Sequence, residues 1–164
     1  MIEDQIEQAR ELRQVDKLEE SQELLLNLLK KEPKHPLVLY EVGGSYDVLG
    51  EERKAIPYYK QALAAGLDGE DYQECLICLG TCYRNIGAVD DALAVLKRFT
   101  KEFPDLNSGR VFLALAYYSD GREDETTRIL LDLLLETTSD EDILAYAGTI
   151  EFYRDHLEDF WDED

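Results

Sequence analysis

A chain of 164 residues, 45% apolar and 33% charged with ten glycines and four prolines, has a globular, helix-friendly composition, and is long enough to bury roughly 70% of the surface its unfolded form exposes. That composition excludes collagen-like, linker-like and disordered classes. Thirty-seven acidic residues against 17 basic ones leave a net charge of -20, which repels phosphate backbones and anionic headgroups, so no nucleic acid and no membrane surface is an expected partner.

The first residues, Met1-Ile-Glu-Asp-Gln-Ile-Glu7, are acidic where a signal peptide is basic, and no apolar run approaches the roughly 20 residues of a membrane span. Three cysteines, Cys75, Cys78 and Cys82, are an odd number on one short segment and a poor disulfide framework, so free thiols and a cytoplasmic location are expected. Apolar residues at helical spacing predict nine helices, over about 2–15, 17–32, 36–49, 51–65, 70–86, 88–103, 106–120, 122–137 and 140–158, and no segment reads as a strand. Pro57 falls inside the fourth of these and predicts a local bend. Ser139 with Asp142 reads as the N-cap of the ninth. An acidic tail, 159–164, closes the chain and carries Phe160 and Trp161.

The chain repeats itself. Gly43, Tyr46, Gly50 and Ala55 recur at the same spacing as Gly80, Tyr83, Gly87 and Ala92; Ala114, Tyr117, Gly121 and Thr126 follow as a weaker copy, and Ala9, Leu12, Asp16 and Ser21 precede as another. The offsets between copies are 34, 37 and 34 residues. Each copy reads as a helical hairpin whose turn carries a glycine. Mid-helix Gly43 and Gly80 cost about 1 kcal/mol each against alanine, which close approach of a partner helix would offset. Ala55 or Ala92 is expected as the flat counterpart, with Tyr46 or Tyr83 filling the space beside it.

These residues resemble the tetratricopeptide repeat family, whose 34-residue helix-turn-helix unit has this Gly, Tyr, Gly, Ala spacing. Pro33 and Pro104 closing second helices fit it too. The block Ala64 to Asp71, the segment Tyr83-Arg-Asn-Ile-Gly87 and Glu102-Phe-Pro104 are similar to a bacterial subgroup, tetratricopeptide repeat group 5. The resemblance implies an all-α, right-handed superhelical solenoid: one domain over 1–158, with repeats at about 2–34, 36–68, 70–105 and 106–138 and a capping helix at 140–158. The departures are an insertion near Leu67 to Gly69, Asp16 for the first turn glycine, and Arg110 and Thr126 at usually apolar positions.

No phosphate-binding glycine loop, H-E-x-x-H zinc motif or G-x-S-x-G elbow occurs. The cysteines share one helix and lack a fourth ligand from another segment, so packing thiols are expected rather than a metal centre. Most acidic clusters fall in first turns of helices, where they favour the macrodipole. No catalytic residue, metal or cofactor is predicted.

In the family the first helix of each unit lines the inner groove. Carried onto this chain, the resemblance places Tyr40, Gly44, Ile77, Thr81, Arg84, Asn85, Val111, Leu115 and Tyr118 there, with Arg10, Arg13 and Gln14 from the first unit. A clamp for acidic chaperone tails would need lysines and asparagines on three consecutive first helices, where Tyr40, Gly44, Ile77, Val111 and Leu115 stand instead. The expected activity is a non-catalytic adaptor or scaffold holding a peptide or helix of a partner protein, amphipathic with basic character. The alternative is a homodimer formed through Phe152, Tyr153, Phe160 and Trp161.

Overall fold

The computed structural model describes residues 1–162 and contains, among them, helices and no strands. Glu163 and Asp164, the last two residues of the predicted acidic tail, lie outside the described residues. The chain divides into two compact units, Met1–Val95 and Leu96–Asp164.

The first unit begins with α1 (Ile2–Gln14) and α2 (Leu18–Lys31), which pack as a hairpin, followed by α3 (Pro36–Asp47) against α4 (Glu52–Ala64) and by α5 (Gly69–Asn85). Helix α6 (Val89–Glu102) starts in this unit and ends in the second. Ile6, Ala9, Leu25, Leu28, Val38 and Val42 form one buried cluster, and Leu39, Tyr40, Ala55, Ile56, Tyr59, Ala62, Leu67, Cys75, Leu79 and Cys82 form the next. Each hairpin therefore buries one face on its own partner and another on the following pair, since neither helix of a pair can shield its apolar stripe alone.

The turns follow one recipe. Backbone N–H groups of Lys17, Glu51, Ala88 and Arg122 donate to the carbonyls of Leu12, Tyr46, Tyr83 and Tyr117, each at 2.9 Å. Such a closure needs the preceding residue in the left-handed region. Gly50, Gly87 and Gly121 take φ of 72°, 81° and 74° there, and Asp16 takes φ of 61° in the same place. An L-residue pays roughly 1–2 kcal/mol in that conformation, Asp somewhat less, so Asp16→Gly is expected to stabilise the chain by about 0.5–1 kcal/mol after the entropy of the added glycine is subtracted. A thermal melt checks it; a melting temperature unchanged or lowered would show that the aspartate carboxylate compensates locally.

The inserted segment folds by the same device. Gly66 has φ of 90°, Leu67 N–H donates to the Ala62 carbonyl at 3.1 Å, and the Leu67 side chain is buried in the second cluster.

What opposes Gly43 differs from the expectation. A Cβ there would stand 2.8 Å from Cδ1 and Cε1 of Tyr59, so the buried Tyr59 ring, not Ala55, demands the glycine. The position 34 residues before Tyr59 is Leu25, and there the helix opposite carries Ala9. Where the small residue is alanine, a hydroxyl crosses the hairpin instead. Ser21 Oγ donates to the Ala9 carbonyl at 2.7 Å and Thr126 Oγ1 to the Ala114 carbonyl at 2.8 Å, both buried. Thr126, a departure from the repeat pattern in sequence, thus latches its hairpin. Pro57 lies inside α4, which continues through it from Glu52 to Ala64.

The second unit holds the end of α6, α7 (Asn107–Ser119), α8 (Glu123–Thr137), α9 (Glu141–Ala145) and α10 (Ala147–Asp155). Its core contains Leu96, Phe99, Leu113, Ala114, Ala116, Tyr117 and Leu133. Tyr117 is covered by the Arg122 guanidinium at 4.5 Å and the Lys97 ammonium at 5.4 Å from its ring centroid.

The predicted ninth helix, 140–158, is two helices. Tyr146 breaks it, with ψ of 14° and its N–H turned to the Ile143 carbonyl at 3.0 Å, an i to i−3 bond that tightens the last turn. Neither α9 nor α10 fully buries a residue; Ile143, Ala147 and Ile150 are only half-buried, which holds the two pieces together weakly. The N-cap is also one residue later than expected: Asp140, not Ser139, accepts from Asp142 N–H at 2.9 Å and Ile143 N–H at 3.2 Å. Arg154 Nη1 reaches Asp132 Oδ1 at 2.6 Å and fixes α10 on α8.

Candidate functional site

In the first unit, α1, α3 and α5 present one side each to a common cavity of about 350 Å3. Its floor is an ion network. Glu41, buried to 2% exposure, accepts from Arg10 Nε at 2.6 Å through one oxygen and from Arg13 Nη2 at 2.6 Å through the other. Arg10 Nη2 also donates to Asp71 Oδ1 at 3.1 Å. Both arginines come from α1 one turn apart, so a single carboxylate on α3 gathers two cations from one helix face. The Arg13 Nε–H is buried and has no acceptor.

Tyr40, expected in the groove, is largely buried beside Tyr59 with ring centroids 6.0 Å apart, and its hydroxyl donates to Glu74 at the cavity wall. Burial and the neighbouring negative charges push its phenol well above the ordinary range. Gly44 lies against this floor: a Cβ there would meet Arg13 Nη1 at 3.5 Å. Ile77 and Arg84 are half-buried on α5. Thr81 Oγ1 donates to the Cys78 carbonyl at 2.9 Å. Asn85 is exposed and donates to Glu52 Oε1 of α4 at 3.3 Å, which turns it toward the second helix of the preceding hairpin.

In the second unit, Val111, Leu115 and Tyr118 follow one another at i, i+4 and i+7 on α7 and are exposed to 40%, 38% and 60%. Arg110, beside this stripe in sequence, makes a bidentate pair with Glu136 of α8 at 2.5 and 3.2 Å. At the C-terminus, Phe152, Tyr153 and Trp161 gather with His156: Phe152 stacks on the His156 ring at 4.2 Å, and Trp161 lies 5.8 Å from Phe152 and 6.3 Å from Tyr153. Phe160 stands apart from them, 93% exposed.

The cysteines are packing groups. Cys75 and Cys82 are fully buried and Cys78 half-buried. Burial first, then Cys78 for Cys75 and the Asp47 carboxylate for the other two, push Cys75 and Cys78 up to about 12 and raise Cys82 too, the reverse of what a nucleophilic thiol requires. Raised thiols stabilise the fold fully below the ordinary value of 9.0, because both states are then neutral; as the pH climbs from 9 toward 12 only the unfolded chain ionises, and stability is lost. By pH 10 the loss should be about 1.4 kcal/mol for each of Cys75 and Cys82. Urea midpoints measured at pH 8 and pH 10, with a cysteine-to-alanine triple variant as control, read this directly; equal slopes for both proteins would refute it. Among the described residues no group of three or more His, Cys, Asp or Glu is arranged to hold a metal ion, and no helix is long and apolar enough to cross a membrane.

Glu41 and Asp71 escaped sequence reading, although a signal existed: Glu41 is the lone charge in the run Pro36 to Gly44.

The sequence profile of the tetratrico peptide repeat family matches residues 36–150. No curated protein matches the chain. Among solved structures, MamA from Desulfovibrio magneticus RS-1 superposes with a TM-score of 0.73 at 17% identity, covering 94% of this chain and 85% of that one. Nearly identical TPR-like repeats of a kinesin light chain from Podosopora anserina give 0.73 at 20%, covering 96% and 90%. YrrB, described as a TPR protein with an unusual peptide-binding site, gives 0.71 at 21%, covering 94% and 78%. At such identities the likeness speaks for the fold alone. The repeated left-handed turns, the hairpins they close and the profile match over residues 36–150 together establish that this chain belongs to the tetratricopeptide repeat family.

Proposed function

We propose that the protein is a non-catalytic adaptor whose first helices hold a peptide or amphipathic helix of a partner protein. The tetratricopeptide fold is a scaffold for protein–protein interaction, and YrrB carries a peptide-binding site on the same fold. The observation that carries the reading is the apolar stripe Val111, Leu115 and Tyr118, three large side chains left on one face of α7 while the opposite face is buried. Spacing of i, i+4 and i+7 matches the anchors that an amphipathic helix offers in return. A net charge of -20 favours basic residues on the partner's other face. Tyr40, Gly44, Ile77, Thr81, Arg84 and Asn85 are the corresponding candidates on α3 and α5.

Short synthetic peptides, leucine-bearing on one helical face and lysine-bearing on the other, test this. Wild-type protein is expected to bind members of such a set, and Val111→Ala with Tyr118→Ala to lose affinity by more than tenfold, as removal of an aromatic anchor does, with far-UV circular dichroism unchanged. Peptides that bind both proteins equally would overturn the groove.

A second reading is self-association through Phe152, Tyr153, Phe160 and Trp161, favoured by the exposed aromatic cluster at the C-terminus. Light scattering compares the full chain with one ending at Glu158. An unchanged molar mass would remove the tail from the interface.

A further inference from the structure

Asp–Gly occurs twice in the chain, at Asp68–Gly69 and Asp120–Gly121. In this dipeptide an aspartyl carboxyl turns most readily on its own backbone, because glycine puts no Cβ in the way of its nitrogen. The structure holds the two bonds differently. Gly69 opens α5, so its N–H precedes the helical ladder and has no acceptor among the described residues. Asp68 makes no side-chain cap to the helix, and its carboxylate has neither a hydrogen bond nor an ion pair among the described residues. Both residues are exposed, and a Cβ built on Gly69 would meet nothing within 4 Å. At the other bond, Gly121 N–H donates to the Tyr118 carbonyl at 3.1 Å and the adjoining Arg122 N–H to the Tyr117 carbonyl at 2.9 Å. The Asp120 carboxylate there lies 4.0 Å from the Arg122 guanidinium.

The backbone torsions sharpen the contrast. A five-membered ring between the side-chain carboxyl and the next nitrogen closes with ψ of about −120°, where Cβ and that nitrogen eclipse. Asp68 has ψ of −178°, roughly 60° away, and its rotation breaks one bond, from Tyr72 N–H to the Asp68 carbonyl at 3.1 Å. Asp120 has ψ of 0°, about 120° away, and its rotation breaks both bonds of the closed turn.

We propose that Asp68–Gly69 is a site of spontaneous isoaspartate formation. The Gly69 nitrogen attacks Cγ of the protonated Asp68 carboxyl: a C–N bond forms, the carboxyl C–OH bond breaks, and the hydroxyl leaves as water with the proton lost from nitrogen. One water then opens the resulting succinimide at either carbonyl. Attack at Cγ restores aspartate. Attack at the main-chain carbonyl leaves the chain running through Cγ, one methylene longer, with a free α-carboxylate at residue 68. Water is released once and taken up once, and no other reactant is consumed. The isoaspartyl form displaces the carbonyl that accepts from Tyr72 N–H, at the start of the helical turn that carries Asp71 and its ion pair with Arg10. Its new carboxylate is of the class that isoaspartyl carboxyl methyltransferases esterify.

The full chain, aged for weeks in oxygen-18 water at physiological pH and temperature and then digested with trypsin in ordinary water, tests this. Each passage through the ring adds one oxygen-18, and the two bonds fall on separate peptides, 61–84 and 111–122. Label at residue 68 is expected to accumulate at least tenfold faster than at residue 120, since ring closure there gives up one hydrogen bond fewer and half the rotation. Part of it is expected in the isoaspartyl form, which electron-transfer fragmentation distinguishes from aspartate. In urea, where both turns are open, the two bonds should label at equal rates. Asp68→Glu keeps the charge but would need a six-membered ring, and is expected to abolish the label. Equal labelling of the two bonds in the folded chain, absence of label at residue 68, or a difference that persists unchanged in urea would each overturn the proposal. So would label in that peptide undiminished by Asp68→Glu.

Discussion

Gly109→Ala is expected to lower stability by about 2–3 kcal/mol and the melting temperature by about 5–10 °C. A Cβ at this position would stand 2.2 Å from Cδ1 and 2.5 Å from Cε1 of Phe99, whose ring is 1% exposed and packs on Phe103 at 5.3 Å between centroids. The ring cannot rotate away into solvent, so α7 must shift from α6, and the gain of about 1 kcal/mol in helix propensity does not compensate. The repeats explain why glycine stands here. Phe99 occupies the position of Leu28 and Ala62 in the earlier copies, and Gly109 that of Val38 and Cys75. Leu28 and Val38 share one buried cluster, and Ala62 and Cys75 share the other. The junction after each hairpin is therefore filled by a different pair, leucine with valine, alanine with cysteine, and phenylalanine with glycine, and only in the last does one large ring require that its counterpart have no side chain. Gly109→Ala combined with Phe99→Leu should recover more than half of the loss. A melting temperature for Gly109→Ala equal to wild type would show that the junction tolerates displacement.

The second large effect is at Glu41. Truncation to alanine leaves two guanidinium groups of α1 facing each other without their shared carboxylate, and removing one partner from a buried ion pair costs about 3–5 kcal/mol. The arginines are 34% and 26% exposed, so solvent screens part of their repulsion and the lower end, about 3 kcal/mol, is expected. Replacing all three, Arg10→Met, Glu41→Met and Arg13→Met, should cost less than Glu41→Ala alone, because no buried charge is then stranded and Asp71, which loses Arg10, is 35% exposed and stays solvated. Urea denaturation of the two variants gives the comparison. A triple variant less stable than the single one would mean that the network contributes more than the desolvation it imposes.

Legibility differs between the fold and the candidate site for physical reasons. The hairpins are legible because helical spacing and left-handed turn glycines are local properties of the chain; even Asp16, lacking the glycine, takes the same backbone conformation, since Leu12 and Lys17 close the turn around it. The tenth helix was not legible, because nothing in 140–158 except packing could decide whether Tyr146 continues the rod, and no residue of either piece is fully buried. Thr126 and Arg110 read as departures from the pattern and become, respectively, a buried latch on Ala114 and a bridge to Glu136.

At the candidate site the division is sharper. Tyr40 was singled out by its offset from a mid-helix glycine, yet its ring is mostly buried against Tyr59 and only its hydroxyl serves the cavity. Val111, Leu115 and Tyr118 could be placed on one face of a helix from their spacing, but whether that face is covered depends on where the neighbouring helices stand. The sequence by itself determined the helical hairpins and their period, because each follows from residues at short fixed separations. Only the tertiary structure decided that Arg10, Arg13 and Glu41 meet, that Tyr59 and Phe99 require glycines opposite them, and that Glu70 and Glu74 face a cavity. Those contacts join residues of different helices, and steric fit and charge balance at such separations depend on how whole helices pack.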